Sequence, residues 1–542
     1  EPESASTGPV ECLGITFPSD KERREYYLER LREKLSDPEF RKIEGFPIGS
    51  DEDILALSDP PYYTACPNPF ITDFFRHYGA ADETPTYFRL PFCGEMKSSA
   101  RHPVYSFHPY HTKVPPEVIR GLIEHYTEPG DIVFDGFCGT GMTGVAAREC
   151  GRNAILGDLC PIATFISSVN NMSHDWRLAL VELERIITES EERFGYLYRT
   201  REAGKALAVN YFVWSDVFTC PECVFEFPFF PHGVIHSGNK VETKRCFPCP
   251  SCGAELNIRR VERVIVHEGK KKQLVWVNAG SGRARVNRPP AECDLALLAE
   301  IESLTIPTWY PADRLNPDGY SAKLAQLGDK AMTDISRFLS KRNLIVFSDL
   351  WSRLGSIKDV AIRNLCSAAL TSVFTVVSER QGYFGGGGGM SGNLYMPVVR
   401  MEKSIYDSLR RKLSRLEIAE RNKEGHTGVS AVSTQSLTTM AVVPDASVDY
   451  IYTDPPFGAN IIYSEMNLIL EGWLRVRTND SSEAVIDPTR NRAFDDYATL
   501  MKRCFRECYR VLRPGRWMTV EFHNTMASVW NLIQTAIGES GF

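Results

Sequence analysis

No apolar run in this 542-residue chain approaches the roughly 20 residues that a membrane span needs, and its first residues do not read as a secretory signal. An excess of positive charge is also missing. Lys plus Arg is 62 against 69 Asp plus Glu, a formal net charge of −7, which excludes a wholly basic nucleic-acid coat protein and leaves room for a local basic patch. At 43% hydrophobic and 24% charged the chain is neither disordered throughout nor a collagen-like repeat nor a coiled-coil rod. A disulfide framework is absent as well. The 15 cysteines are odd in number, and a chain this long has no need of staples. An intracellular protein with reduced cysteines and one metal site is expected. The sequence opens at Glu1 rather than Met and stops at Gly541-Phe542, so trimmed ends are expected, with a further hairpin beyond Phe542.

What is present begins with an alternation of strands and helices. Asp131-Ile-Val-Phe134 reads as a short apolar strand, Met142 to Glu149 as a small-residue helix, and Asn153 to Leu156 as a second strand ending at Gly157-Asp158. Strand, turn, helix and strand within about 30 residues make a βαβ unit of a parallel sheet. The pattern resumes at Val448–Tyr452 and continues through a helix (Tyr497–Val511), a strand (Trp517–Phe522) and a helix (Ser528–Ile537). One parallel sheet interrupted by a large insertion is expected. Helices are expected over 175–205, 357–380 and 401–421. Pro60 to Pro69 is too proline-rich for a helix interior or central strand and reads as a surface arm. Gly385 to Gly389 reads as a mobile loop or linker, and Trp309-Tyr310 as core.

Three constellations carry chemistry. The first is Asp135-Gly-Phe137-Cys138-Gly139-Thr140-Gly141-Met-Thr-Gly144. Its glycines let the backbone turn sharply and approach a ligand at a helix N-terminus, a device dinucleotide enzymes share. Asp158, ending the next strand, is placed to accept from ribose hydroxyls. The second is Asp454-Pro455-Pro456-Phe457 after a strand. Two prolines remove two N–H donors and leave carbonyls and a carboxylate as acceptors beside an aromatic face, which suits a flat base with an exocyclic amino group. The third is Cys220-Pro-Glu-Cys223 and Cys249-Pro-Ser-Cys252, with 25 residues between the pairs. This spacing predicts a tetrahedral Zn(Cys)₄ ribbon at about 215–256, with Cys246 as a substitute ligand. Next to it, from Arg259 to Arg288, nine Lys/Arg face only Glu262 and Glu268. Such a stretch either follows a phosphate backbone or is a solvated basic face.

With FCGTG after one strand and DPPF after a later one, the sequence resembles the S-adenosylmethionine-dependent DNA amino-methyltransferases. The stretches PPYYTACPNPF, HPYHTKVP, DIVFDGFCGTGMTGVAA, YTDPPFGANIIYSEMN and YRVLRPGRWMTVEFHN resemble the prokaryotic adenine-specific or site-specific DNA methylases. The resemblance covers roughly 60–170 and 440–542. It implies an α/β fold, a Rossmann-like class I methyltransferase sheet interrupted by an insertion with a zinc ribbon. The implied divisions are an N-terminal arm and helix (1–100), a cofactor-binding half (101–175), the insertion (176–435) and a catalytic half (436–542). It implies S-adenosylmethionine held by Phe137, Cys138, Gly139, Thr140 and Gly141, with Asp135 under its amino group, Asp158 on its ribose, and His111, Thr112 and Lys113 at its methionine end. Asp454 and the Pro455 carbonyl would accept from the target amino group, with Pro456 fixing the turn and Phe457 stacking on the flipped base. One departure stands out: the acidic residue expected after the third strand is replaced by Ser433-Thr-Gln-Ser436. The order of motifs implies adenine N6 as target; cytosine N4, an RNA target, or a non-catalytic DNA-binding subunit remain open. The implied partner is double-stranded DNA in a prokaryotic cytoplasm, with no membrane, and restriction or defence-system proteins are left open.

Overall fold

The computed structural model describes residues 8–79, 87–96, 98, 101–237, 240–266, 269–282, 285–324, 334–384, 394–459 and 461–542. The chain divides into two units: residues 1–181, 357–369 and 414–542 form the first, and residues 182–356 and 370–413 the second.

The first unit is built on a six-stranded sheet. Its strands are β1 (Tyr63–Thr64), β2 (Ile132–Asp135), β3 (Asn153–Asp158), β4 (Ser430–Thr434), β5 (Val448–Thr453) and β6 (Leu512–Val520). The order is β6-β5-β2-β3-β4-β1, and every neighbouring pair is parallel. Strands β2, β4 and β5 are buried along their whole length, as expected of a parallel sheet covered on both faces. The architecture is therefore mixed α/β around a central parallel sheet. Residues 154 and 430, far apart in sequence, lie side by side in the ladder.

Six helices matter for the site: α1 (Pro116–Tyr126), α2 (Met142–Glu149), α3 (Pro161–Asn171), α4 (Tyr463–Leu474), α5 (Phe494–Val511) and α6 (Ala527–Gly538). Prolines stand at the first turns of α1 and α3, where a missing N–H costs nothing. In α5 the buried Tyr497, Met501, Cys504, Phe505, Cys508 and Val511 recur at helical spacing and make one apolar stripe. The Asp496 carboxylate accepts from the Ala493 N–H at 2.8 Å and closes that helix's start. Burying each large side chain of such a stripe stabilises by about 2 kcal/mol.

Several expectations change. The proline-rich stretch is not a surface arm: Tyr63 and Thr64 are fully buried and form the sheet's edge strand, with Val432 donating to the Tyr62 carbonyl at 2.7 Å. An edge position tolerates the prolines that precede it, because they need donate to no ladder there. The helix expected over 175–205 ends at Phe194, and the chain passes through a 3₁₀ turn into a strand at Arg199. Met401 belongs to a strand, Val399–Lys403, and the helix begins at Ile405. Trp309 is exposed, not core. Among the described residues one helix, Val360–Val377, is long and apolar enough by composition to cross a membrane, and most of it is buried within the protein. The five-glycine run lies outside the described residues.

The second unit centres on the long strand Lys205–Thr219, which pairs antiparallel with Lys272–Ala279, Val399–Lys403 and Glu226–Pro228.

Candidate active site and cysteine cluster

The turn between β2 and α2 takes its shape from two left-handed glycines, Gly139 (φ +49°) and Gly141 (φ +75°). They do different work. A Cβ on Gly141 would stand 2.2 Å from the Ser167 hydroxyl, so this glycine lets the turn pack on α3. A Cβ on Gly139 would meet only Tyr110, at 3.7 Å, so this glycine leaves open backbone toward a cavity. The Asp135 carboxylate accepts from the Phe137 N–H at 3.1 Å and from the Thr143 hydroxyl at 2.5 Å. Asp158 accepts from the Gly139 and Cys160 N–H groups, each at 2.9 Å. The two carboxylates fix the turn from both sides, and each oxygen keeps a second lone pair.

Tyr110, Thr112, Lys113, Asp135, Phe137, Cys138, Gly139, Thr140, Asp158, Asp454 and Pro456 all line that cavity. The two distant motifs thus meet in one site. Burial pushes the carboxyls upward: Asp135 and Asp454 to about 7 and Asp158 to about 6, because desolvation penalises the charged form. Lys113 is lowered to about 8 by the same cause. Its ammonium donates to the Tyr105 and His108 carbonyls, so it braces the segment before α1. The Thr140 hydroxyl is buried without a partner. Where an acidic residue was expected after the third strand, Ser436 and Leu437 form the wall.

Asp454 follows β5 directly. Its Oδ1 is buried and accepts no hydrogen bond. Of the carbonyls after it, Pro456 accepts from the Tyr497 hydroxyl at 2.7 Å and Phe457 from the Asn524 amide at 2.6 Å. Among the described residues the Pro455 carbonyl is left without a donor. His111, Pro455 and Phe457 do not line the cavity. The half-buried Phe457 ring packs edge-on against Phe522, with centroids 5.5 Å apart.

Sequence reasoning missed several wall residues. Tyr110 and Tyr463 lie nearly parallel, 6.4 Å apart, and Tyr463 shares a 2.9 Å hydrogen bond with Thr112. Both stand inside stretches that carried the resemblance, which was the available signal. Glu483, also in the wall, accepts from the Ser464 N–H at 2.9 Å; nothing in its surroundings in sequence marks it.

Behind the site Glu471 is fully buried and pushed up to about 7 by desolvation. It accepts from the Thr478 N–H at 2.8 Å and from the Ile162 N–H at 3.4 Å. The folded protein therefore holds its proton above pH 4.5, where the unfolded chain has released it, and stability falls as pH rises from about 4.5 to about 7. Glu471→Gln should remove this loss. The melting-temperature difference, variant minus unsubstituted protein, should rise across that window and level off above it; a flat difference would refute the assignment.

In the second unit the four cysteine sulfurs lie within 4.8 Å of one another. Cys220 and Cys252 are 3.8 Å apart and Cys223 and Cys249 3.7 Å, close to the roughly 3.8 Å edge of a tetrahedron with 2.3 Å metal–sulfur bonds. The two pairs share one backbone device. Val224 donates to the Cys220 carbonyl at 2.9 Å and Gly253 to the Cys249 carbonyl at 3.0 Å, and both donors are left-handed. Cys246 stands apart, its sulfur accepting from Asn257 at 3.6 Å, so it is no substitute ligand.

Four of the eight described basic residues in the neighbouring stretch are committed to carboxylates. Lys271 pairs with Glu226, Lys272 with Glu379, Arg263 with Asp216, and Arg288 with Asp294 and Glu202. Arg259, Arg260 and Arg285 are exposed. Arg283 and Glu268 lie outside the described residues.

Residues 46–162 match the model of the DNA methylase family. Over 117 residues the chain is 30% identical to the Type II methyltransferase M.MjaII of Methanocaldococcus jannaschii, covering 22% of this chain and 20% of that protein. The chain thus aligns with about a fifth of the length of this curated relative. No solved structure matches. The family match spans β1 through the N-terminus of α3, with the glycine turn and Asp158, and stops far short of Asp454.

Proposed function

We propose that this protein is a Rossmann-like class I methyltransferase that transfers a methyl group from S-adenosylmethionine to adenine N6 in DNA. The observation that carries the reading is a pair of acceptors with no donor among the described residues, Asp454 Oδ1 and the Pro455 carbonyl, set beside the cavity of the glycine turn. A flipped base with an exocyclic amino group offers two N–H donors to such a pair. Support for the cofactor comes from the chemistry of the wall. Open backbone at Gly139, a buried Thr140 hydroxyl without a partner, and Asp135 and Asp158 suit a ligand with an ammonium group and ribose hydroxyls.

S-adenosylmethionine, when bound, supplies a methyl group already activated as a sulfonium. The rest falls to the chain. Asp135 and Asp158 orient the ligand's polar ends, with Thr112 and Tyr463 closing the wall. Asp454 and Pro455 hold the two amino hydrogens and so turn the nitrogen lone pair toward the methyl group. Phe457 gives the base a stacking face. Catalysis is then positioning and electrostatics rather than covalent chemistry. The four cysteines fit a structural zinc and leave no open coordination position.

The test is to express the protein with DNA, digest both DNA and RNA to nucleosides, and weigh them. N6-methyladenine in DNA is expected. N4-methylcytosine, or methylation confined to RNA, would overturn the choice of target, and no methylated nucleoside would overturn the activity. For DNA binding, Arg259→Gln with Arg260→Gln should flatten the salt dependence of affinity by about one unit of slope for each phosphate no longer neutralised. Lys272→Gln should leave that slope unchanged, because Lys272 is already paired with Glu379. Equal slopes for the arginine variant and the unsubstituted protein would return the stretch to a solvated face.

A further inference from the structure

Across the carboxyl edge of the sheet four acidic residues stand on four neighbouring strands. Asp158 ends β3 and Asp135 ends β2, Asp454 follows β5, and Glu521 follows β6. The register puts Glu521 beside Asp454. Thr453 faces Val520, and the Glu521 N–H donates to the Thr453 carbonyl at 2.9 Å. Adjacent parallel strands lie roughly 4.8 Å apart, so the two carboxylates are neighbours. The Tyr452 hydroxyl, from the cavity wall, donates to Glu521 at 3.0 Å. Glu521 is itself exposed to solvent.

The other end of β5 is arranged differently. There Asp449 is neutralised by Arg513 at 2.8 Å and Arg516 at 3.1 Å. At the carboxyl end, among the described residues, no cation pairs with Asp454 or Glu521. The groups facing Asp454 are Asp135 from β2, Tyr452 from β5, Tyr463 from α4 and Glu521 from β6. All four are acidic or phenolic, and the cation of the cavity wall, Lys113, donates to the Tyr105 and His108 carbonyls. Like charges left side by side without a counter-ion cost stability and mark a site with work to do.

We propose that Glu521 is a positioning residue for the methyl transfer, acting through Asp454 as the outlet for the proton that the methylated amino nitrogen must shed. The inference rests on the reading of Asp454 as acceptor for the target amino group. Atoms and electrons balance within the two reactants. The nitrogen lone pair forms the C–N bond, the S–C bond breaks, and its electron pair stays on sulfur, leaving a neutral thioether. The nitrogen is then positively charged and loses one N–H proton to Asp454. Glu521, one strand over, takes that proton directly or through a water and delivers it to solvent. No electrons are exchanged with any further reactant. The Glu521 charge also keeps Asp454 a strong acceptor, since a neighbouring negative charge raises a carboxyl's proton affinity; desolvation, then Asp135, then Glu521 push Asp454 upward.

The test compares unsubstituted protein with Glu521→Gln, which keeps an acceptor for Tyr452 but no charge, and with Glu521→Asp. Two readouts are taken across the neutral pH range. One is the single-turnover rate of methyl transfer on duplex DNA. The other is the titration of the Asp454 carboxyl, followed by NMR with carboxyl-labelled aspartate and assigned by its loss in Asp454→Asn. In Glu521→Gln the plateau rate should fall about 10²-fold, and the Asp454 titration should move to lower pH. Glu521→Asp should recover most of both. An unmoved Asp454 titration, or a plateau within about twofold of the unsubstituted rate, would overturn the proposal. The NMR readout does not depend on turnover, so its failure is distinct from that of the underlying reading, which full activity of Asp454→Ala would remove.

Discussion

Asp454→Ala should abolish methyl transfer while leaving cofactor affinity within a few-fold of normal. The expectation comes from where the residue stands. Asp454 comes off β5, whereas the glycine turn, Asp135 and Asp158 belong to β2, β3 and the turn between β2 and α2. Among the described residues its buried Oδ1 has no hydrogen-bond donor, so removing it breaks no hydrogen bond there. It even relieves one buried carboxyl. Removal should therefore leave the fold as stable as before, or slightly more so, and act on the reaction alone. A donor or acceptor aimed at the reacting group is worth roughly 10²–10³ in rate; losing the proton acceptor as well should push the total beyond about 10³. Calorimetric titration with S-adenosylmethionine, beside single-turnover rates, separates the two effects. Near-normal turnover would show that the acceptor pair is not the target-base pocket.

The second large effect concerns the cysteines. Gently purified protein should carry about one zinc per chain, and Cys223→Ser should lose it. Structural zinc contributes roughly 10–16 kcal/mol to folded metal-binding modules near neutral pH, and here it would hold two hairpins that have only a small core of their own. Phe218, Phe227, Phe229, Phe247 and Leu256 cluster against Cys220 and Cys249, so the ribbon is the metal's shell as much as a separate body. Hydrogen exchange should therefore show amides of residues 220–257 losing protection, while β2, β3 and β5 keep theirs. Elemental analysis without zinc, or equal loss of protection in both regions, would count against a structural metal.

How much of this was legible in the sequence differs by element. Strands β2, β3 and β5 were readable because a short apolar run bounded by Asp and Gly has few other uses. The same logic failed for β1. Its prolines argued against a strand, and only its edge position, a tertiary fact, makes them harmless. Met401 was read into a helix because the spacing of Ile405, Leu409, Leu413 and Leu416 is helical, and periodicity does not mark where a helix starts. The basic stretch misled for another reason. Its partners Glu226, Asp216, Glu379 and Asp294 lie outside it in sequence, so a local count of charge overstates what is free. At the site, glycines and prolines announced themselves because they shape backbone. Glu521 and Glu483 did not, since a lone glutamate acquires meaning only from the strand or helix end set against it.

The pairing of residue 154 with residue 430 also sets a timetable for synthesis. At roughly 5–20 residues per second, the ribosome delivers β3 tens of seconds before β4 exists to cover its edge. Through that interval β2 and β3 form a half-sheet whose apolar, unpaired rim is open to strands from other chains. The intervening unit, whose antiparallel contacts fall largely within itself, can fold during the wait and draw the two ends of the sheet closer, lowering the entropy of closing so long a loop. Yield of active protein should accordingly depend on translation rate and on chaperones that shield strand edges, more than on the stability of the finished molecule.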